Sequence, residues 1–148
     1  MTLKEILGVK GSAVYTIRAH ETIRRALELL VQHRIGALVV VGQDGRPEGM
    51  LSERDLIRAF HQHGQETGAA GEIPVSLFMT KRVITASLND DIQQIMNVMT
   101  HSRIRHVPVI EQGKMVGLVS IGDIVKSLLQ DSQQQIQTLK EFIYGPGL

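Results

Sequence analysis

The 148-residue chain contains no cysteine and no tryptophan, and its aromatic share is only 3%. Without cysteine it has no disulfide framework, no thiolate zinc site and no cysteine nucleophile. So few aromatic rings leave no platform for stacking nucleic-acid bases. An excess of one charge is also missing: 16 Lys and Arg stand against 15 Asp and Glu, a formal net charge of +1. A nucleic-acid partner is therefore not expected, because the basic footprint it needs is absent. No apolar run approaches the ~20 residues that span a bilayer, so no membrane partner is expected either. Met1 to Lys10 lacks the apolar centre of a signal peptide. The expectation is a cytoplasmic protein, and the lack of cysteine fits a reducing compartment.

What is present is a globular composition, 43% apolar and 21% charged. The length suits one domain, or two small units that share a core. One stretch organises the rest: Gly117-Leu118-Val119-Ser120-Ile121-Gly122-Asp123. It reads as the end of a strand, a tight turn and the first turn of a helix. Ser120 stands at the N-cap, and Ile124, Val125, Leu128 and Leu129 follow at helical spacing. A helix start presents unpaired N–H groups and suits an anion. Asp123, one turn in, suits a pair of sugar hydroxyls. Hydroxyl, N–H groups and carboxylate together fit a ribonucleotide.

The same pattern stands at Gly49-Met50-Leu51-Ser52-Glu53-Arg54-Asp55, an offset of 68 residues. A whole repeat surrounds it. The first unit reads as a helical lead-in over Thr2–Leu7, a turn over Gly8–Ser12 and a strand over Val14–Ile17. A helix capped by Thr22 follows, with Ile23, Ala26, Leu27, Leu30 and Val31 on one face. The hairpin strands are Ala37–Val41 and Glu48–Leu51, and a helix from Ser52 runs through Phe60. His61 to Glu72, with Gly64, Gly68 and Gly71, reads as a linker. The second unit repeats the order. A lead-in helix spans Val75–Met79 and a strand Val83–Thr85, and Asp90 or Asp91 caps a helix with Ile92, Ile95, Met96 and Met99. The hairpin strands are Val107–Ile110 and Met115–Val119. Thr16 aligns with Thr85, Ile23 with Ile92 and Arg34-Ile35 with Arg103-Ile104, all at an offset of 69. The expected fold is α/β, two strand-helix-hairpin-helix repeats packed about a pseudo-twofold axis with a cleft between them. The expected boundaries are 1–66, 67–131 and a C-terminal helix and tail over 132–148. Ile136, Leu139 and Ile143 form a stripe on that helix suited to a second subunit, and Gly145-Pro146-Gly147 stops it.

The repeat resembles the cystathionine-β-synthase (CBS) domain, and the chain resembles a stand-alone tandem CBS pair, or Bateman module. The two Gly-x-x-Ser-x-x-Asp signatures, Val107-Pro108-Val109-Ile110 and the Thr16 and Thr85 strands carry the likeness. The resemblance implies an adenosine ligand in the cleft: AMP first, with ADP, ATP, NAD(H) or S-adenosylmethionine as alternatives. It implies ribose contacts at Asp55 and Asp123, and phosphate or ribose contacts at Ser52 and Ser120. Thr16 and Thr85 would lie near the sugar. Backbone beside Ala37 and His106 would read the adenine edge, and Ile17, Val107 and Pro108 would lie against its face. Arg105 and His106, or Arg54 in the first unit, would meet phosphate. The two sites are expected to differ, since Gly36 and Ala37 stand where the second unit has Arg105 and His106. A homodimer and an unidentified protein partner are also implied.

Three other readings compete. Asp55 and Asp123 suit helix capping as well as ribose. A ligand-free dimerisation scaffold would need no nucleotide. An enzyme has less support, because the serines lack an adjacent base and no His–carboxylate pair or metal cluster is evident. His61-x-His63 lacks a carboxylate or cysteine partner for a metal. Gly117-x-x-x-x-Gly122 imitates a P-loop but lacks the following Lys-Ser/Thr.

Overall fold

The computed structural model describes residues 1–64 and 70–145. The first unit contains α1 (Leu3–Lys10), β1 (Thr16–Arg18), α2 (Ile23–His33), β2 (Ala37–Val41), β3 (Pro47–Ser52) and α3 (Glu53–His63). Two short 3-10 turns, Ala70–Glu72 and Val75–Leu77, lead into α4 (Ile92–Ser102), β4 (His106–Glu111), β5 (Lys114–Ser120) and α5 (Ile121–Tyr144). The expected 66/67 boundary, Gly68 of the linker, and Pro146 and Gly147 of the helix stop lie outside the described residues. Among the described residues no helix is long and apolar enough to cross a membrane.

The internal repeat is visible in strand register. In the first sheet Ile17 pairs in parallel with Val40; in the second Ala86 pairs in parallel with Val109. Both partners move by 69 positions between the units. The hairpins align Ala37 with Ser52 and His106 with Ser120, so each signature serine sits beside the first residue of its central strand. The second hairpin turns on Gln112 and Gly113, both with positive φ (50° and 76°), which is the two-residue turn that matches strand twist. Helix caps repeat as well. Thr22 Oγ1 accepts from Arg25 N, and Asp91 accepts from Gln93 N and Gln94 N. Asp91 is thus the cap, while Asp90 Oδ2 accepts from Ser87 N at 2.8 Å. Arg34 and Arg103 end α2 and α4 in the left-handed conformation, with φ of 53° and 56°.

Five expected elements change. The first lead-in helix continues through Gly8 to Lys10 and is capped by Gly11 at φ 95°. The β1 strand begins at Thr16 rather than Val14, and α3 extends to His63. The lead-in expected over Val75–Met79 is a single 3-10 turn. Its chain must extend early, because Thr80 exchanges both backbone bonds with Met50 (2.8 and 3.0 Å). The strand expected over Val83–Thr85 shrinks to one bridge at Ala86. The cause is Pro108. In the first sheet Val39 N–H donates to Tyr15 O, and the equivalent position in the second is proline, which has no N–H to donate.

The lead-ins are exchanged between the units. Leu3, Ile6 and Leu7 of α1 pack into the second core with Ile92, Ile95, Met99, Val107, Val119 and Ile124. Val75 and Phe78 pack into the first core with Ile17, Ile23, Leu38, Leu51 and Leu56. Backbone bonds fix both crossings: Leu3 N to Asp90 O and Lys4 N to Leu88 O, then Ile23 N to Ile73 O and Val75 N to Glu21 O. The signature glycines make room for this. A β-carbon on Gly117 would lie 2.7 Å from the Leu7 methyls, and one on Gly49 would lie 2.7 Å from Met79 Sδ.

Candidate functional site

Each signature places a serine at the N-cap and an aspartate in the first turn of the following helix. The local reason is hydrogen bonding, since four N–H groups at a helix start lack partners. Asp123 Oδ2 accepts from Ser120 N (2.9 Å), and Ser120 Oγ accepts from Asp123 N (3.1 Å), a reciprocal capping box. Asp55 Oδ2 likewise accepts from Ser52 N (2.8 Å) and from Ser52 Oγ (3.2 Å). Capping is therefore a real role of both acids. The helix starts are also tied to the preceding loops: Glu53 N donates to Gly36 O and Ile121 N to Arg105 O.

The two signatures differ in what else they hold. Asp55 is 7% exposed, and its second oxygen accepts from Arg58 (3.1 Å), whose guanidinium also donates to Phe78 O. Both Asp55 oxygens are occupied within the chain. Asp123 is half-buried, and among the described residues the hydrogen bonds to its carboxylate all fall on Oδ2. The extra bond comes from Lys10, whose Nζ lies 2.5 Å from Asp123 Oδ2 and 2.7 Å from Leu118 O. Partial burial alone would raise the Asp123 carboxyl; the Lys10 ammonium and the Ser120 N–H and hydroxyl outweigh it and hold it below the usual range. His106, half-buried beside Ser120 in the sheet, is held below its ordinary value by burial first and then by the Lys10 charge. Asp123 opposes this shift, Arg105 adds to it, and Glu53 of the first unit opposes it. The second signature thus gathers Lys10, Arg105, His106, Ser120 and Asp123, with a carboxylate of the other repeat nearby.

The remaining expected residues divide by exposure. Thr16, Arg54, Thr85 and Arg105 are exposed, and Ser52 is half-buried. Ile17 and Val107 belong to the two cores at 2% and 0% exposure, so neither side chain offers a face to adenine. Strand alternation is the reason: Thr16 points out, which sends Ile17 inward. Ala37 and Pro108 are buried too. Lys10 and Arg58 were absent from the expected set. Lys10 was detectable, because residues 3, 6, 7 and 10 share one helical face, but Gly8 read as a helix end. A separate groove of about 430 Å³ opens between α2 and α3, walled by Leu27, Leu30, Val31, Ile35, Leu56, Ile57 and Phe60. Among the described residues Glu53 is its only charged wall, which offers no donor for phosphate.

Comparison with known proteins agrees with this architecture. The profile of the CBS domain matches residues 4–62 and again 70–130. The crystal structure of the CBS-domain containing protein ATU1752 from Agrobacterium tumefaciens is 40% identical, with a TM-score of 0.80; the match covers 86% of this chain and 98% of that one. The CBS domain pair of protein MJ0100, solved in complex with 5′-methylthioadenosine and S-adenosyl-L-methionine, is 25% identical with a TM-score of 0.72, covering 88% of this chain and 98% of that one. The mitochondrial CBS domain-containing protein CBSX3 of Arabidopsis thaliana is 31% identical over 97% of this chain and 72% of its own length.

Proposed function

The chain belongs to the CBS-domain family as a tandem pair, and from that premise we propose that it is a regulatory module binding an adenine nucleotide at the second signature. AMP is the first choice of ligand, with ADP, ATP and NAD(H) next. The observation that carries this is the contrast between the two aspartates. Among the described residues Asp123 keeps an oxygen that takes no bond and lies in a half-open, cation-lined setting, whereas Asp55 is buried and saturated. Ribose hydroxyls donate to Asp123, and phosphate meets Ser120, Arg105 and His106 at the start of α5. The adenosine ligands of the MJ0100 pair support the ligand class.

Occupancy acts by population shift: a ligand touching both repeats favours one inter-repeat geometry and alters a surface that a partner reads. We read the chain as a cytoplasmic binding module rather than an enzyme. Self-association into a homodimer belongs to the same proposal. It is supported by exposed apolar residues on α2 and α3 (Leu27, Val31, Ile57) and on α5 (Leu129, Ile136, Leu139, Ile143).

A thermal-shift screen of nucleotide-stripped protein against AMP, ADP, ATP, NAD, NADH and S-adenosylmethionine tests the reading. A ligand at ~100 times its Kd adds about 2.7 kcal/mol, a rise of roughly 5–11 °C for a chain of this size. No rise with any of the six would favour the scaffold.

A further inference from the structure

Lys10 reaches the second site from an unexpected direction. Helix α1 precedes the first repeat in sequence but is anchored in the second core by Leu3, Ile6 and Leu7. Its last turn delivers the ammonium to Asp123 Oδ2 (2.5 Å) and Leu118 O (2.7 Å). The first site is built differently. There Asp55 is balanced by Arg58 of its own helix.

We propose that Lys10 is the specificity-determining residue of the second site: it makes binding depend on an anionic group at the ligand's 5′ position. This rests on the nucleotide reading of the same site. Asp123 Oδ2 already accepts from Ser120 N and from Lys10. A ribose diol spans the carboxylate: one hydroxyl donates to Oδ1, and the other reaches Oδ2, where both lone pairs are already taken, and so competes with the ammonium. The ammonium then turns away from Asp123 in a neighbourhood that already holds Arg105 and His106. Glu53 is the nearby counter-charge from the other repeat. A phosphate gives the displaced ammonium a new partner. A neutral nucleoside leaves it without one, and a sulfonium adds a further positive charge. Anion binding is thereby tied to the position of α1, so the exchanged lead-in senses occupancy directly.

The test is titration calorimetry on the intact, nucleotide-stripped protein with AMP, adenosine, 5′-methylthioadenosine and S-adenosylmethionine. Wild type is expected to favour AMP over adenosine by about tenfold or more, the scale of one charge-assisted hydrogen bond. Lys10→Met should lose most of that preference while binding adenosine at least as well, and Lys10→Arg should keep it. Circular dichroism checks that both variants are folded. An unchanged AMP-to-adenosine ratio in a folded Lys10→Met overturns the inference while leaving the nucleotide site standing. Binding of none of the four ligands by wild type overturns the site itself, and the inference with it.

Discussion

Gly117 and Leu7 meet so closely that a β-carbon on the glycine would lie 2.7 Å from both leucine methyls. The signature glycine is thus a packing residue, and its partner comes from the other end of the chain. Gly117→Ala is expected to cost about 1–3 kcal/mol through overpacking. Adding Leu7→Ala should give a double variant less destabilised than the two single effects added together. Urea denaturation of the four proteins measures this. Strict additivity would separate the two residues.

The exchanged lead-in has a larger consequence. Leu3, Ile6 and Leu7 are buried in the second core. Burying each contributes roughly 1.5–3 kcal/mol, so together they approach the whole stability of a typical domain, about 5–15 kcal/mol. Deleting residues 1–10 should leave a chain that does not unfold cooperatively, and limited proteolysis should cut the second repeat first. A cooperative transition near the wild-type midpoint would contradict the exchange.

Much of this was readable in the sequence, and the misreadings have physical causes. The duplicated heptapeptide and the offset of 69 are reproduced in the Ile17–Val40 and Ala86–Val109 register. Which core each lead-in joins was not readable, because an apolar face such as Leu3-Ile6-Leu7 states that it packs but not against what. Gly8 hid the last turn of α1, and with it Lys10, because glycine disfavours helix only weakly, by about 1 kcal/mol, and packing overrode it. The sequence pattern makes Pro108 part of a strand motif; its missing N–H is what reduces the neighbouring strand to one bridge. The different partners of the two aspartates are invisible in the sequence, since they are Arg58 and Lys10, which lie outside the repeated pattern.

In the proposed reading Asp55 acts structurally. It caps α3 and holds Arg58, whose other bond reaches Phe78 O on the exchanged segment. Asp55→Ala should lower stability by about 1–3 kcal/mol. Its effect on nucleotide affinity should be no more than this loss explains. A large drop in affinity at unchanged melting temperature would mean that the first signature also binds ligand.

Acid should weaken the fold through His106. The folded protein holds this imidazole below the ordinary value of 6.5, by burial and then by Lys10, so the unfolded chain takes up a proton first. The contribution is complete above about pH 6.5 and is lost as pH falls below it, until the folded imidazole is also protonated. Asp123, also held low, adds a similar loss at more acid pH, below its ordinary 3.8. Chemical denaturation between pH 7.5 and 5 should show falling stability, and His106→Gln should flatten that slope. An unchanged slope would place the proton uptake elsewhere.

The central claim is that Asp123 holds a ribonucleotide. Calorimetric titration of AMP into nucleotide-stripped wild type and Asp123→Ala tests it most directly. The account predicts saturable binding to wild type and a loss of about tenfold or more in the variant, with its circular dichroism spectrum unchanged. Equal affinity in the two proteins, or no binding of AMP or any other adenosine ligand to wild type, would contradict it.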